Sequence, residues 1–504
     1  MLFRTKQPPT NWRLLRRKVQ ERSSQRHKKV NMDIITGKIL KLNNWPDGKI
    51  IGIAKTISEQ LSAQGVEREA ILSQLDSVRQ DPGPFLADPL MADLARECIR
   101  LTQKDEPSED SLFESPIPYP IWGRENIDDE AVKQMDNAMR LPVSVAGALM
   151  PDAHVGYGLP IGGVLATDNT VIPYAVGVDI ACRMRLSLYD VSPHLLGQKK
   201  SVFENSLWNE TAFGMGAKWT GSKKAQHEVL DDDAWYATPQ LKMLKDTAMN
   251  QLGTSGTGNH FAEWGSFHLT EPMFGLEPGI YLALLSHSGS RGVGAKIADR
   301  YSKLAREKHP DLDASVKYLA WLSLDSEEGQ EYWLSMELAG RFASANHYII
   351  HQRVAAAVGL KDVGVVENHH NFAWKEKLAD GRTVIVHRKG ATPAGVGVLG
   401  IIPGSMGDAG YLVRGKGISS SLESASHGAG RQMSRRVAIN SISKSARDEY
   451  LKQNGVTLLG GGMDESPQAY KPIEAVINAQ TELVDVLGKF TPRSVRMADE
   501  PGDI

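Results

Sequence analysis

Cysteine is nearly absent. The 504 residues hold two, Cys98 and Cys182. That excludes a disulfide framework and fits a reducing compartment, so a cytoplasmic protein is expected. Neither cysteine lies in a Cys-x-x-Cys pair. No apolar run approaches the roughly 20 residues a membrane helix needs, so no membrane partner is expected. No Gly-x4-Gly-Lys-Ser/Thr motif occurs; "GTSGTGNH" lacks the lysine, which argues against a P-loop. There is no Lys-x-Asp-Gly motif of the lysine-adenylating ligases, and no repeat of fixed period.

Net charge is small, −2, but segregated. Residues 1–31 carry ten Lys/Arg and only Glu21 as an acid, leaving 48 basic against 59 acidic side chains elsewhere. An enzyme acting on nucleic acid would therefore need a local basic cleft. The basic extension lacks a signal-peptide apolar core and reads as a disordered arm, a transit peptide or translation from an upstream start. "MDIITGKILKL" from Met32 resembles a fresh protein start.

Residues 32–115 read as mostly helical, with apolar residues at helical spacing in "GIAKTISEQLSAQG" and "EREAILSQLDSVRQ" and a turn-rich break at "QDPGPFLADP". From 116 to 504, short β-branched runs alternate with Gly- and His-rich loops. Strands are predicted at "GGVLAT", "IYLALLSHS", "TVIVHR" and "GVLGIIPGS". Helices are predicted over 334–358, over 432–452 and in "YKPIEAVINAQTELVDVLGKF". The fold class is α+β: a helical N-terminal region and one large catalytic domain with mixed β-sheets.

Polar, glycine-rich clusters begin at residue 150: "MPDAHVGYGLPIGG", "GVDIAC", "GTGNHFAE", "SHSGSRGVG", "ENHHNFAW", "HRKGATPAG", "PGSMGDAGY" and "SHGAGRQMSRR". A lone histidine is more often a satisfied core residue than a ligand, and a lone buried cysteine is more often a small hydrophobe. Accumulation changes that balance. Asp179, Cys182, His260, His287 and His370 all offer metal-ligand atoms beside small residues. Asp179 and Cys182 are three apart, as in a helix start or tight turn; Asn259, His260 and Glu263 have helical spacing. "HGAGRQMSRR" precedes a predicted helix, so the amides of Gly428, Ala429 and Gly430 form a candidate anion site with Arg431 beside it. His427 stands at its mouth as a candidate nucleophile; the plainer alternative is a phosphate hydrogen-bond donor.

In this order the clusters resemble the RtcB family of RNA-splicing ligases, from about Leu141 to Tyr470. The resemblance implies joining of an RNA 3′-phosphate or 2′,3′-cyclic phosphate end to a 5′-hydroxyl end, with GTP and two manganese ions. Ligand softness alone would favour zinc. It implies guanylylation of His427, a bridging role for Cys182 with Asp179, metal ligation by His260, His287 and His370, and a catalytic role for Asp152. Asn259, Glu263, Ser405, Gly407, Gly428, Ala429, Gly430 and Tyr470 match nucleotide-site positions. His370 is preferred to His369 because it precedes the asparagine. A helper protein that activates turnover is a possible partner. Two departures stand out. Arg496 takes the place of a C-terminal lysine expected near guanine, with eight residues after it, and Pro393 stands where many relatives carry arginine. Two rival readings are a metal-dependent phosphodiesterase or phosphatase without a covalent nucleotide, and a non-catalytic RNA-binding relative.

Overall fold

The computed structural model describes residues 35–102 and 110–499; the basic extension, residues 1–31, lies outside the described residues. No helix among them is long and apolar enough to cross a membrane. The chain divides into two compact units.

The described part of the smaller unit comprises 35–102 and the mid-chain segment 323–327. Its helices are α1 (Gly37–Leu42), α2 (Lys49–Ala63), α3 (Arg68–Gln80) and α4 (Ala92–Thr102). Ile50, Ala54, Ile57 and Leu61 of α2 share a core with Ile71, Leu75 and Val78 of α3 and Leu94 and Cys98 of α4, which is the spacing of one apolar helix face. Cys98 is thus a packing residue, and burial pushes its thiol up.

The larger unit is built on two sheets. Its strands are β1 (Ser144–His154), β2 (Ile161–Thr167), β3 (Arg183–Tyr189), β4 (Phe261–Leu269), β5 (Gly279–Ser288), β6 (Gly364–His369), β7 (Asn371–Lys377), β8 (Thr383–Lys389), β9 (Leu399–Ile402), β10 (Gly410–Gly415), β11 (Thr457–Leu459) and β12 (Val484–Met497). The smaller sheet is antiparallel in the order β1-β2-β8-β7. The larger runs β9-β10-β12-β4-β5-β3-β6, with β11 parallel to β12. Its end strands are clasped by one side chain: the Asn368 amide on β6 donates to Ile401 O (3.4 Å) and accepts from Ile401 N (2.9 Å) on β9. The sheet is therefore curled nearly into a barrel.

Strand alternation divides the core. Ala283 and Leu285 of β5 face inward with Met184, Leu186, Phe267 and Phe490. Leu282 and Leu284 face outward against Ile350 and Val354 of the long helix Glu327–Ala357. This two-sided burial explains why β5 reads as an unbroken apolar run.

Two predicted helices differ from what is found. The stretch 432–452 splits into Arg435–Ser441 and Lys444–Gln453, because Ile442 and Ser443 are extended and the Ser443 hydroxyl caps the second helix. In "YKPIEAVINAQTELVDVLGKF" only Ile473–Asn478 is helical. From Val484 the chain is β12, held between β10 and β4 by pairing that overrides local periodicity.

Candidate active site

Register alone gathers the predicted ligands. Arg183 pairs with Ser288 and with His369, and Phe261 pairs with His287. The start of β3, the start of β4, the end of β5 and the end of β6 therefore share one rim of the large sheet. Cys182, His260, His287 and His370 sit at those ends. Parity then decides direction. His287 follows Leu285 on the inner face, while Ser286 points outward and meets His347 Nδ1 (2.7 Å) and His351 Nε2 (2.8 Å). Those two are core histidines with hydroxyl partners. His369 likewise lies on the outer face, against Phe372 and Trp374, and His370 is where the chain passes from the large sheet to the small one.

Asp179 enters through a tight turn: Cys182 N donates to Asp179 O (3.1 Å), with Ala181 between them in the left-handed region (φ 56°). His260 Nε2 lies 2.8 Å from Asp179 Oδ2. Cys182 Sγ is 3.3 Å from His260 Nε2 and 3.0 Å from His287 Nε2, and the latter is 3.2 Å from His370 Nε2. Two donor groups result, Asp179–Cys182–His260 and Cys182–His287–His370, and the thiol belongs to both. Burial drives His287 and His370 well below the usual imidazole range, so both are neutral, the form that ligates. Burial drives the Cys182 thiol well up; burial also pushes the Asp179 carboxyl up, but His260, Cys182 and His287 together outweigh it and lower that carboxyl to about 2. His287 Nδ1 is held by Asn259 O (3.0 Å), which turns Nε2 inward. A thiol, three imidazoles and a carboxylate packed this closely fit one or two divalent transition-metal ions.

His427 stands beside this cluster, its ring centroid 4.8 Å from that of His370. Its Nδ1 lies 2.7 Å from Oδ2 of the fully buried Asp152. With Nδ1 engaged, Nε2 is the ring nitrogen left for a substrate. Gly430 (φ 69°) packs so closely on the Asp152 backbone that a Cβ would come within 2.0 Å of its carbonyl oxygen; only glycine fits there. The Gly428–Gly430 turn lines the cavity, but the helix begins only at Arg435. The anticipated helix-end anion site is thus a bare turn.

The donor cluster and His427 open into one cavity of about 710 Å³, walled further by Asn259, Phe261, Ser405, Met406, Tyr470 and Met497. Asn259 precedes β4 in a loop, and Glu263 lies within the strand, so their spacing is not helical. Glu263 follows Phe261 on the inner face, and burial drives its carboxyl well up. Gly407 lies behind the wall, its N–H donating to Ser405 Oγ (3.3 Å). Arg431 is at the wall but engaged by Glu465 (3.2 Å), Tyr470 (3.2 Å) and Asp464 O (2.6 Å). Arg496 is not brought to the cavity. It pairs with Ala262, whose side chain belongs to the outer core. There its guanidinium lies 4.2 Å from the Trp208 ring centroid and pairs with Asp499 (3.0 Å). Its neighbour Met497 faces the cavity instead.

Sequence reasoning passed over Asn371 and Lys389, although both lie in quoted clusters. Asn371 Oδ1 accepts from Gly390 N (2.8 Å), and Lys389 donates to the Tyr157 carbonyl. Burial lowers Lys389 to about 7. Arg435, whose partners are Asp464 and Glu465, also lines the cavity. A lysine at an apolar strand end was the one available signal.

Comparison with known proteins adds to this geometry. The family described as "tRNA-splicing ligase RtcB" matches residues 134–497. An Escherichia coli protein named "RNA-splicing ligase RtcB1" is 32% identical over 419 residues, covering 75% of this chain and 96% of that protein. A Nanoarchaeum equitans protein named "tRNA-splicing ligase RtcB" is 31% identical over 456 residues, covering 75% and 95%. One of the same name from Methanococcus maripaludis is 31% identical over 425 residues, covering 70% and 88%.

Proposed function

This chain belongs to the RtcB family, and on that premise we propose that it is a GTP-dependent RNA ligase. It would join 3′-phosphate or 2′,3′-cyclic phosphate ends to 5′-hydroxyl ends through a guanylylated His427. The observation that carries the reading is a nucleophile oriented by a buried carboxylate (His427 Nδ1 to Asp152 Oδ2, 2.7 Å) beside two donor groups that share one thiol.

His427 Nε2 attacks the α-phosphorus of GTP; the N–P bond forms, and the bond to pyrophosphate breaks with its electron pair. Asp152 holds the ring through this step and stabilises the positive charge that develops on it. A cyclic end first adds water, which breaks the bond from phosphorus to the 2′-oxygen and leaves a 3′-phosphate and a 2′-hydroxyl; an oxygen of the RNA 3′-phosphate then displaces the imidazole, taking GMP. The RNA 5′-oxygen, losing its proton, attacks the 3′-phosphorus and expels GMP. Asp179, Cys182, His260, His287 and His370 would hold two manganese ions, Cys182 belonging to both donor groups. When bound, such ions neutralise phosphate oxygens and orient the nucleophile. The purine fits the apolar part of the cavity beside Phe261, Met406 and Met497, next to Ser405.

The test is incubation with GTP labelled at the α-phosphate plus Mn²⁺, followed by mass analysis. An acid-labile, base-stable GMP adduct absent from His427→Ala is expected. No adduct in the wild type with several divalent metals, or one that survives the substitution, would refute the reading and favour a phosphodiesterase.

A further inference from the structure

One feature of the cavity mouth serves none of these steps. Tyr157 is 71% exposed, yet its loop is pinned from three sides. The Gln134 amide bonds Gly156 in both directions, donating to its carbonyl (2.7 Å) and accepting from its N–H (2.9 Å). Lys389 donates to the Tyr157 carbonyl. A Cβ on Gly158 (φ 73°) would come within 3.1 Å of Leu319 and 3.3 Å of Tyr318, so this loop rests on the 318–319 turn. A mostly exposed aromatic ring on a backbone fixed at the cavity wall is placed to be covered by an incoming flat group.

The surroundings name that group's chemistry. Tyr157 meets Tyr318 edge-on (centroids 6.4 Å apart, 69°), and Tyr318 meets Tyr174 (5.2 Å). Arg306 and Lys317 both lie over the Tyr318 ring, at 5.5 and 5.3 Å. Both cations are exposed, and neither forms an ion pair among the described residues. Arg431 and Arg435, which line the same cavity, are by contrast each held by carboxylates. Aromatic faces interleaved with uncommitted cations are what a single-stranded nucleic acid uses: bases stack, and the backbone follows the charge. Tyr157 and Tyr174 both line the cavity that holds His427.

We propose that Tyr157, backed by Tyr318 and flanked by Arg306 and Lys317, is a shelf for an unpaired nucleotide of an RNA end entering the cavity. The base stacks on Tyr157, and the phosphates of the neighbouring nucleotides lie against the two cations. The inference rests on the RNA-ligase reading for its biological sense but is measured without catalysis. A fluorescent single-stranded RNA with a 3′-phosphate is titrated with the full chain, and anisotropy is followed at several salt concentrations. Tyr157→Ala should weaken binding about tenfold, within the range of one lost base stack, and Tyr157→Phe should bind like the wild type. Arg306→Ala combined with Lys317→Ala should reduce the slope of log affinity against log salt by about 1.4, or ~0.7 per phosphate contact. Tyr157→Ala binding like the wild type would overturn the shelf, as would an equal loss in Tyr157→Phe, an unchanged salt slope, or no RNA binding by the wild type. Adduct formation by the wild type is scored separately, so failure of the ligase reading is distinguishable from failure of the shelf.

Discussion

One carboxylate oxygen orients His427 twice: Asp152 Oδ2 lies 2.7 Å from its ring Nδ1 and accepts its backbone N–H at 3.1 Å. Asp152→Asn keeps the shape but replaces a double acceptor with an amide that can present a donor to the ring. The rate of adduct formation should fall on the order of 10³–10⁴-fold, as when a ring-orienting aspartate is amidated in a catalytic triad. Metal content should not change. Single-turnover labelling with α-labelled GTP reads the rate, and a wild-type rate would show that Asp152 only packs.

Because the Cys182 thiol belongs to both donor groups, its loss should be felt by both. Cys182→Ser is expected to fold normally and to bind Mn²⁺ or Zn²⁺ at least about tenfold more weakly, since losing a ligand should exceed the loss of an outer partner. Calorimetric titration checks this. If one ion still binds with wild-type affinity, the thiol serves a single group.

Arg496→Ala should leave the preference for GTP over ATP unchanged, because its side chain lies on the outer face while Met497 faces the cavity. Stability should fall instead, by ~1 kcal/mol for the contact with Trp208. Competition binding and thermal melting separate the outcomes. Altered nucleotide preference would restore a guanine role for this position.

Burial lowers Lys389 to about 7. Below that pH the lysine is charged in both the folded and unfolded chain, and its burial cost is fully present. Between about 7 and the unfolded value near 10.4, the unfolded chain binds a proton that the folded one lacks, so stability rises with pH by up to ~1.4 kcal/mol per unit. Lys389→Met lacks this contribution. The melting temperature of the wild type should therefore gain on that of Lys389→Met from pH 7 to pH 9. Parallel curves would show that the amine stays charged in the fold.

The cluster residues were legible in the sequence because metal and phosphate chemistry restricts residue types and demands small neighbours. Cys182, His260, His287 and His370 meet as expected, although more than a hundred residues separate Cys182 from His287. Which face each side chain takes was not legible. Arg496 differs from Met497 by one step of strand parity, and parity appears only when β12 is seen as a strand. The segment after Tyr470 shows the same difficulty. Its apolar residues suit a helix locally, and only pairing with β10 and β4 makes a strand. Lys389 escaped notice because its environment is assembled from β8 and the Tyr157 loop, far apart in the chain.

The Asn368 clasp has a mechanical consequence. An open sheet leaves its edges free, whereas a sheet fastened end to end leaves little free edge. Asn368 lies two residues before His370, so the fastening of the sheet and one wall of the donor cluster share a strand end. The position of His370 is then tied, through Asn368, to the strand at the far end of the sheet order. A change as distant as the edge strand β9 would be felt at His370.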